Sequence, residues 1–136
     1  IMLRMQSDLV ALCDAALEGK LDQCEPSWDP RAAIGVVLAA GGYPGDYAKG
    51  DIISGLPTDS SSDQKVFHAG TAFSDKEQGG DVVTNGGRVL CATALGNTVL
   101  EAQQKAVALA KQISWDGVFT RSDIGYRAIA REQGKS

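Results

Sequence analysis

Apolar positions along the chain switch between a helical and an alternating period, and each switch marks an element. Met2, Met5, Leu9, Leu12, Cys13, Ala16 and Leu17 recur at helical spacing opposite Arg4, Gln6, Asp8, Asp14 and Glu18. This predicts an amphipathic, core-packing helix stopped by Gly19. Leu21 to Pro30 is polar and punctuated by Pro26 and Pro30, a connection that Trp28 is expected to anchor on the core. Ala32 to Ala40 is a β-rich apolar run and predicts a central strand covered on both faces.

Beyond Gly41 the runs shorten. Asp51–Leu56 and Lys65–Phe73 read as short strands separated by the polar turn Pro57–Asp63, and Ser74–Asp81 as a charged loop expected to be mobile. Val82-Val83-Thr84 and Arg88-Val89-Leu90 flank Asn85-Gly86-Gly87, the sequence signal of a hairpin closed by a type I′ turn. Thr98-Val99-Leu100-Glu101 has the form of a capping box, after which Val99, Ala102, Ala106, Leu109, Ala110 and Ile113 line one helical face. A short closing helix is expected after Ser122 as its cap, with Asp123 and Arg127 as a surface pair. Together these predict an α+β fold, a mainly antiparallel sheet with flanking helices.

Composition narrows the function classes. A chain of 136 residues, 43% hydrophobic and 22% charged, fits one ordinary globular domain. The net charge of −4 and the lack of a Lys/Arg cluster argue against nucleic acid as a partner. No apolar run approaches the roughly 20 residues of a membrane span. Cys13, Cys24 and Cys91 are irregularly spaced, with only His68 to help, so no metal site is expected. Cys13 and Cys91 read as reduced core residues of a cytoplasmic protein, and His68 as a hydrogen-bonded structural histidine. The chain begins at Ile1, already in a helical pattern, which suggests a piece of something longer.

The candidate chemistry gathers around Arg88. Glycines without Cβ leave main-chain amides open, and a guanidinium offers a fork of donors suited to a carboxylate or phosphate. Asn85, Gly86, Gly87 and Arg88 therefore read as one wall of an anion site, with a plain hairpin and a solvated arginine as the alternative. The loop Gly41-Gly42-Tyr43-Pro44-Gly45-Asp46-Tyr47 places aromatic surface beside exposed amides. Lacking both the Lys-Ser/Thr ending of a P-loop and GxGxxG spacing, it is neither kind of nucleotide loop. It either packs on the hairpin or touches ligand through Gly42 and Tyr43. No residue stands out as catalytic.

Four stretches in order, Ala39-Ala40-Gly41-Gly42-Tyr43-Pro44-Gly45-Asp46-Tyr47, Val66-Phe67-His68-Ala69-Gly70-Thr71, Thr84-Asn85-Gly86-Gly87-Arg88-Val89-Leu90 and Arg121-Ser122-Asp123-Ile124-Gly125-Tyr126-Arg127-Ala128, carry a resemblance covering nearly the whole chain. They resemble the C-terminal domain of the glycinamide ribonucleotide synthetases, ATP-grasp ligases of purine synthesis. The resemblance implies a hybrid-motif-like C-terminal domain over residues 21–136 and, over residues 1–20, a helix leading out of an ATP-grasp domain. It further implies that glycine and 5-phosphoribosylamine are the substrates, with ATP and Mg²⁺ or Mn²⁺ held upstream of Ile1. Arg88, Gly87, Gly86, Asn85, Tyr43 and Gly42 would then face substrate, and the chain alone would be inactive and bind no cofactor. A free-standing small-molecule-binding or scaffold domain is the competing class. A biotinyl or lipoyl carrier is disfavoured, because Lys49-Gly50 lacks the expected apolar flanks.

Overall fold

Strand β5, Arg88–Gly96, is the spine of the structure, with β1 (Ala32–Ala39) and β2 (Gln64–His68) hydrogen-bonded antiparallel on either side. The structure, a computed structural model, describes residues 1–59, 61–75 and 80–134. A second, two-stranded antiparallel sheet pairs β3 (Thr71–Phe73) with β4 (Val82–Thr84). Among the described residues three α-helices accompany the sheets: α1 (Leu9–Leu17), α2 (Val99–Gln112) and α3 (Tyr126–Glu132). The α+β expectation is met.

Register explains where the core lies. Val36 and Val66 both pair with Ala92, and Leu38 pairs with Leu90, so these residues share one face of the sheet. α2 covers that face with Ala102, Ala106, Leu109 and Ala110, joined by Ile113. Small side chains let the helix approach closely, and Gly96 sits where a Cβ would collide with the backbone of Ala102. Leu38 and Leu90 are fully buried, and truncating such a residue to alanine costs about 2–5 kcal/mol. The capping box forms in part. Glu101 N–H donates to Thr98 Oγ1 at 3.1 Å, while the Glu101 carboxylate accepts from the N–H of Asn97 rather than from Thr98.

Several expectations are corrected. β1 is an edge strand, not a central one, and its Gly35 and Val37 are exposed. No hairpin joins β4 to β5: the two strands belong to different sheets, and neither Gly86 nor Gly87 has positive φ. Lys65–Phe73 is not one strand but β2 and β3, split at Ala69-Gly70 between the sheets. Asp51–Leu56 makes only the isolated bridges Ile52–Val83 and Ser54–Ser114. The closing helix α3 is capped by Gly125 at φ +82°, not by Ser122. Asp123 pairs with Arg121 rather than Arg127, which instead donates to the Tyr126 hydroxyl.

The N-terminal helix differs most. Residues Met2–Arg4 form a 3-10 turn, Met5 bridges to Trp28, and the α-helix starts only at Leu9, capped by the Asp8 carboxylate. None of the α1 residues is buried, Cys13 included, so this is not a core-packing helix here. Trp28 does not anchor its loop on the core as expected: it joins Met5 through that backbone bridge and is itself 39% exposed. Of the loop Ser74–Asp81, residues 76–79 lie outside the described residues.

Candidate functional site

Two chain crossings, at Gly70 and at Asn85-Gly86-Gly87, carry the backbone from one sheet to the other, and they touch. A Cβ on Gly70 would meet the Cα of Gly86 at 3.0 Å and the carbonyl of Arg88 at 2.8 Å. The N–H of Asn85 donates to Gly70 O at 2.8 Å, and the N–H groups of Ala69 and Gly70 both reach Val89 O. Glycine is needed here for close approach of main chain to main chain, a different reason from a turn's positive φ.

The loop after β1 closes over this junction. Ala40 N–H donates to Gly87 O at 2.9 Å, and Tyr43 N–H turns back to Ala40 O. The Tyr43 ring then occupies the space a Cβ of residue 87 would need, with Tyr47 packed against it at 6.3 Å between ring centroids. Gly42, at φ +93°, makes the bend, because a side chain there would run into Asp46 O.

The result is a recess of about 450 Å³ lined by Tyr43, Gly70, Asn85, Gly86, Gly87 and Arg88, with Val37 and Cys91 from the outer face of the sheet. Five of the six residues singled out in the sequence meet here; Gly42 shapes the loop and does not line the recess. Gly87 is buried beneath Tyr43, so it is not an open amide as expected, whereas Gly86 is half-buried. Among the described residues the N–H groups of Gly86 and Gly87 have no acceptor. Arg88 is exposed and has no ion-pair partner among the described residues. A guanidinium with no internal carboxylate keeps its full fork of donors for an outside anion.

Sequence reasoning missed Val37, Ala69, Gly70 and Cys91 as lining residues. The register Val37–Cys91–Phe67 places Val37 and Cys91 on the sheet face away from α2, while Ala69 and Gly70 lie in the crossing after β2, neither of which a local pattern reveals. His68 stands apart, its Nδ1 3.0 Å from Thr71 Oγ1. A larger groove, about 780 Å³, lies between α2 and Val118–Ser122, but it is mainly apolar.

Residues 33–127 match the family model of the phosphoribosylglycinamide synthetase C domain. The chain belongs to this family. Among the relatives of this synthetase C domain, a phosphoribosylamine–glycine ligase of Vibrio cholerae is 75% identical over 135 residues, 99% of the chain. One from Escherichia coli O157:H7 is 65% identical over 98% of the chain. The chain spans 30% of the length of each of these curated relatives. The crystal structure of the phosphoribosylamine–glycine ligase from Thermotoga maritima superposes with a TM-score of 0.65 at 40% identity, covering 82% of this chain and 27% of that one. Among the described residues no three His, Cys, Asp or Glu converge as a metal site. No helix among the described residues is long and apolar enough to cross a membrane.

Proposed function

We propose that the whole protein is a cytoplasmic phosphoribosylamine–glycine ligase, an ATP-dependent carboxylate–amine ligase of purine synthesis, and that this chain supplies one wall of its substrate cleft. The observation that carries the reading is the uncommitted Arg88 guanidinium beside Tyr43 and Asn85, at a recess walled by the bare backbone of Gly70 and Gly86. In this reaction the glycine carboxylate takes the γ-phosphoryl group of ATP and ADP leaves. The amine of 5-phosphoribosylamine then attacks the acyl carbon, forming the amide and expelling phosphate. Both substrates carry an anionic group, the carboxylate of glycine and the phosphate of phosphoribosylamine, and a fixed cation and oriented amides hold such charge without reorganising.

In this division of labour Arg88 and the Gly86 amide bind and orient glycine or phosphoribosylamine, while Tyr43, held by Gly42 and Gly87, walls the recess against water. ATP and Mg²⁺ or Mn²⁺ are assigned to the part of the ligase outside this chain; among the described residues no three His, Cys, Asp or Glu converge. Residues 21–136 form the C-terminal domain and residues 1–20 lead out of the ATP-grasp domain.

The test is steady-state ADP release by the full-length ligase. Arg88→Ala is expected to raise KM for one substrate by about 10- to 100-fold, the loss of a charge-assisted hydrogen bond. Whether that substrate is glycine or phosphoribosylamine tells which anion sits at Arg88. Arg88→Lys should recover only part of the loss, since an ammonium keeps the charge but not the fork. Unchanged KM and kcat with a lowered melting temperature would make Arg88 a structural prop. The 136-residue chain alone is expected to release no ADP.

A further inference from the structure

We propose that the buried hydroxyl of Thr84 and the backbone and carboxylate of Asp51 form a latch that positions the Arg88 recess, and that binding at Arg88 depends on it although neither residue touches substrate. Neither lines the recess. Thr84 is 1% exposed, the more enclosed of the two buried polar residues among those described. A hydroxyl taken that far out of water needs partners.

Those partners mark a break in the pairing. Residues 50–53 run antiparallel beside β4, bridged at Ile52–Val83, and Ile53 N–H donates to Val82 O at 2.9 Å. Regular pairing would send Asp51 N–H to the Thr84 carbonyl, in return for the bond that Thr84 N–H donates to Asp51 O at 2.9 Å. Gly50 N–H takes that carbonyl instead, at 2.8 Å. The displaced Asp51 N–H donates to Thr84 Oγ1 at 3.1 Å, and the hydroxyl in turn donates to Asp51 Oδ2 at 3.4 Å. A side-chain oxygen thus stands in for a main-chain one, and the chain bends onto β4 out of step without orphaning an amide.

What arrives at that bend is the loop bearing Tyr43 and Tyr47. Its other end is fixed where Ala40 N–H donates to Gly87 O at 2.9 Å. Both ends of the loop are therefore tied to one short stretch, Thr84 to Gly87, which also carries Asn85 and leads into Arg88. Without the hydroxyl, the Asp51 amide is free to take back the residue 84 carbonyl in regular register, displacing Gly50 and the loop with it. Tyr43 lies against Gly87, so the shift reaches the wall of the recess. The latch itself stands apart from what Arg88 binds, while its effect on substrate rests on the proposed function.

The experiment uses the full-length ligase with Thr84→Val, which keeps the side-chain shape without the hydroxyl, and Thr84→Ser, which keeps the hydroxyl. Hydrogen exchange in residues 41–50 is followed by mass spectrometry, and KM and kcat by ADP release. Thr84→Val is expected to speed exchange in residues 41–50 with α2 still protected. It should also raise KM by about tenfold for the same substrate as Arg88→Ala, with KM for ATP unchanged. Thr84→Ser should recover most of both losses, and in an Arg88→Ala background Thr84→Val should add little to that KM. A lowered melting temperature with wild-type loop exchange and wild-type KM would make Thr84 a packing residue and overturn the proposal. Faster exchange with unchanged KM, in a ligase whose Arg88→Ala variant binds substrate poorly, would overturn the positioning role. If Arg88→Ala changes no KM, the cleft reading fails, and loop exchange alone decides the latch. Should Thr84→Val not fold, Asp51→Ala, which takes the acceptor away from the hydroxyl, has to show the same two changes.

Discussion

The ring of Tyr43 fills the volume that a side chain at Gly87 would claim, so each of the two residues sets what the other can be. Arg88 follows Gly87 directly, and the recess at Arg88 therefore inherits its shape from this contact. Gly87→Ala should displace the Tyr43 ring at a cost of about 1–3 kcal/mol, typical of overpacking. The check is a double-mutant cycle by thermal unfolding of the ligase: the Gly87→Ala penalty should shrink in a Tyr43→Ala background. Equal penalties in both backgrounds would show the contact to be inert.

Acid sensitivity should localise to the clamp below β1. Arg31 hydrogen-bonds the carboxylate of Asp29 and holds its pKa at about 2, against an ordinary 3.8, and lowers that of Asp63 in the same way. The depressed pKa means that the unfolded chain binds the proton more readily. This contribution to stability is complete above pH 3.8 and fades as pH falls towards 2. Asp29→Asn should lower the melting temperature at neutral pH, and the gap from wild type should close across that window. A gap that stays constant with pH would mean that Asp29 acts through packing alone.

At the other end of β5, Thr98 holds the start of α2. Thr98→Ala should destabilise the domain by about 1 kcal/mol, and Thr98→Ser should restore most of it, as read by denaturant unfolding. Glu101 also accepts from Asn97 N–H and pairs with Lys105 at 2.8 Å, but both side chains are 36% exposed. Lys105→Ala is therefore expected to cost less than Thr98→Ala.

Gly70→Ala offers a way to move the recess without touching its cation. The added methyl would press on the backbone of Gly86 and on the Arg88 carbonyl, neither of which can rotate away. Catalytic efficiency should fall by about tenfold or more, with the helical signal of α2 retained in circular dichroism, because a small misplacement of a binding group is felt in the rate. Full activity in this variant would detach the crossing from the chemistry.

Local chemistry made some of this architecture legible and left some of it hidden. The Thr98 cap and the small residues Ala102 and Ala106 are read correctly because a helix end and a helix face are decided within a few residues. Asn85-Gly86-Gly87 misleads, because the same glycines that suit a tight turn also suit two main chains in contact, and only the partner Gly70 distinguishes the cases. Ala32–Ala39 looks central because its residues are apolar throughout. Its place at the edge depends on β2 and β5, distant in sequence, and Gly35 and Val37 remain exposed. Helix α1 shows the opposite error, since an apolar stripe says that cover is needed but not which part of a protein provides it.

A recess walled largely by glycine main chain has a lasting property. Its inner surface resists re-lettering, since a larger residue at Gly70 meets main-chain atoms of Gly86 and Arg88 and one at Gly87 must displace the Tyr43 ring. Under the proposed function, selectivity is then written at the lip, by Arg88, Asn85 and Tyr43, which makes these few side chains the handles by which an engineer could retune what the cleft accepts.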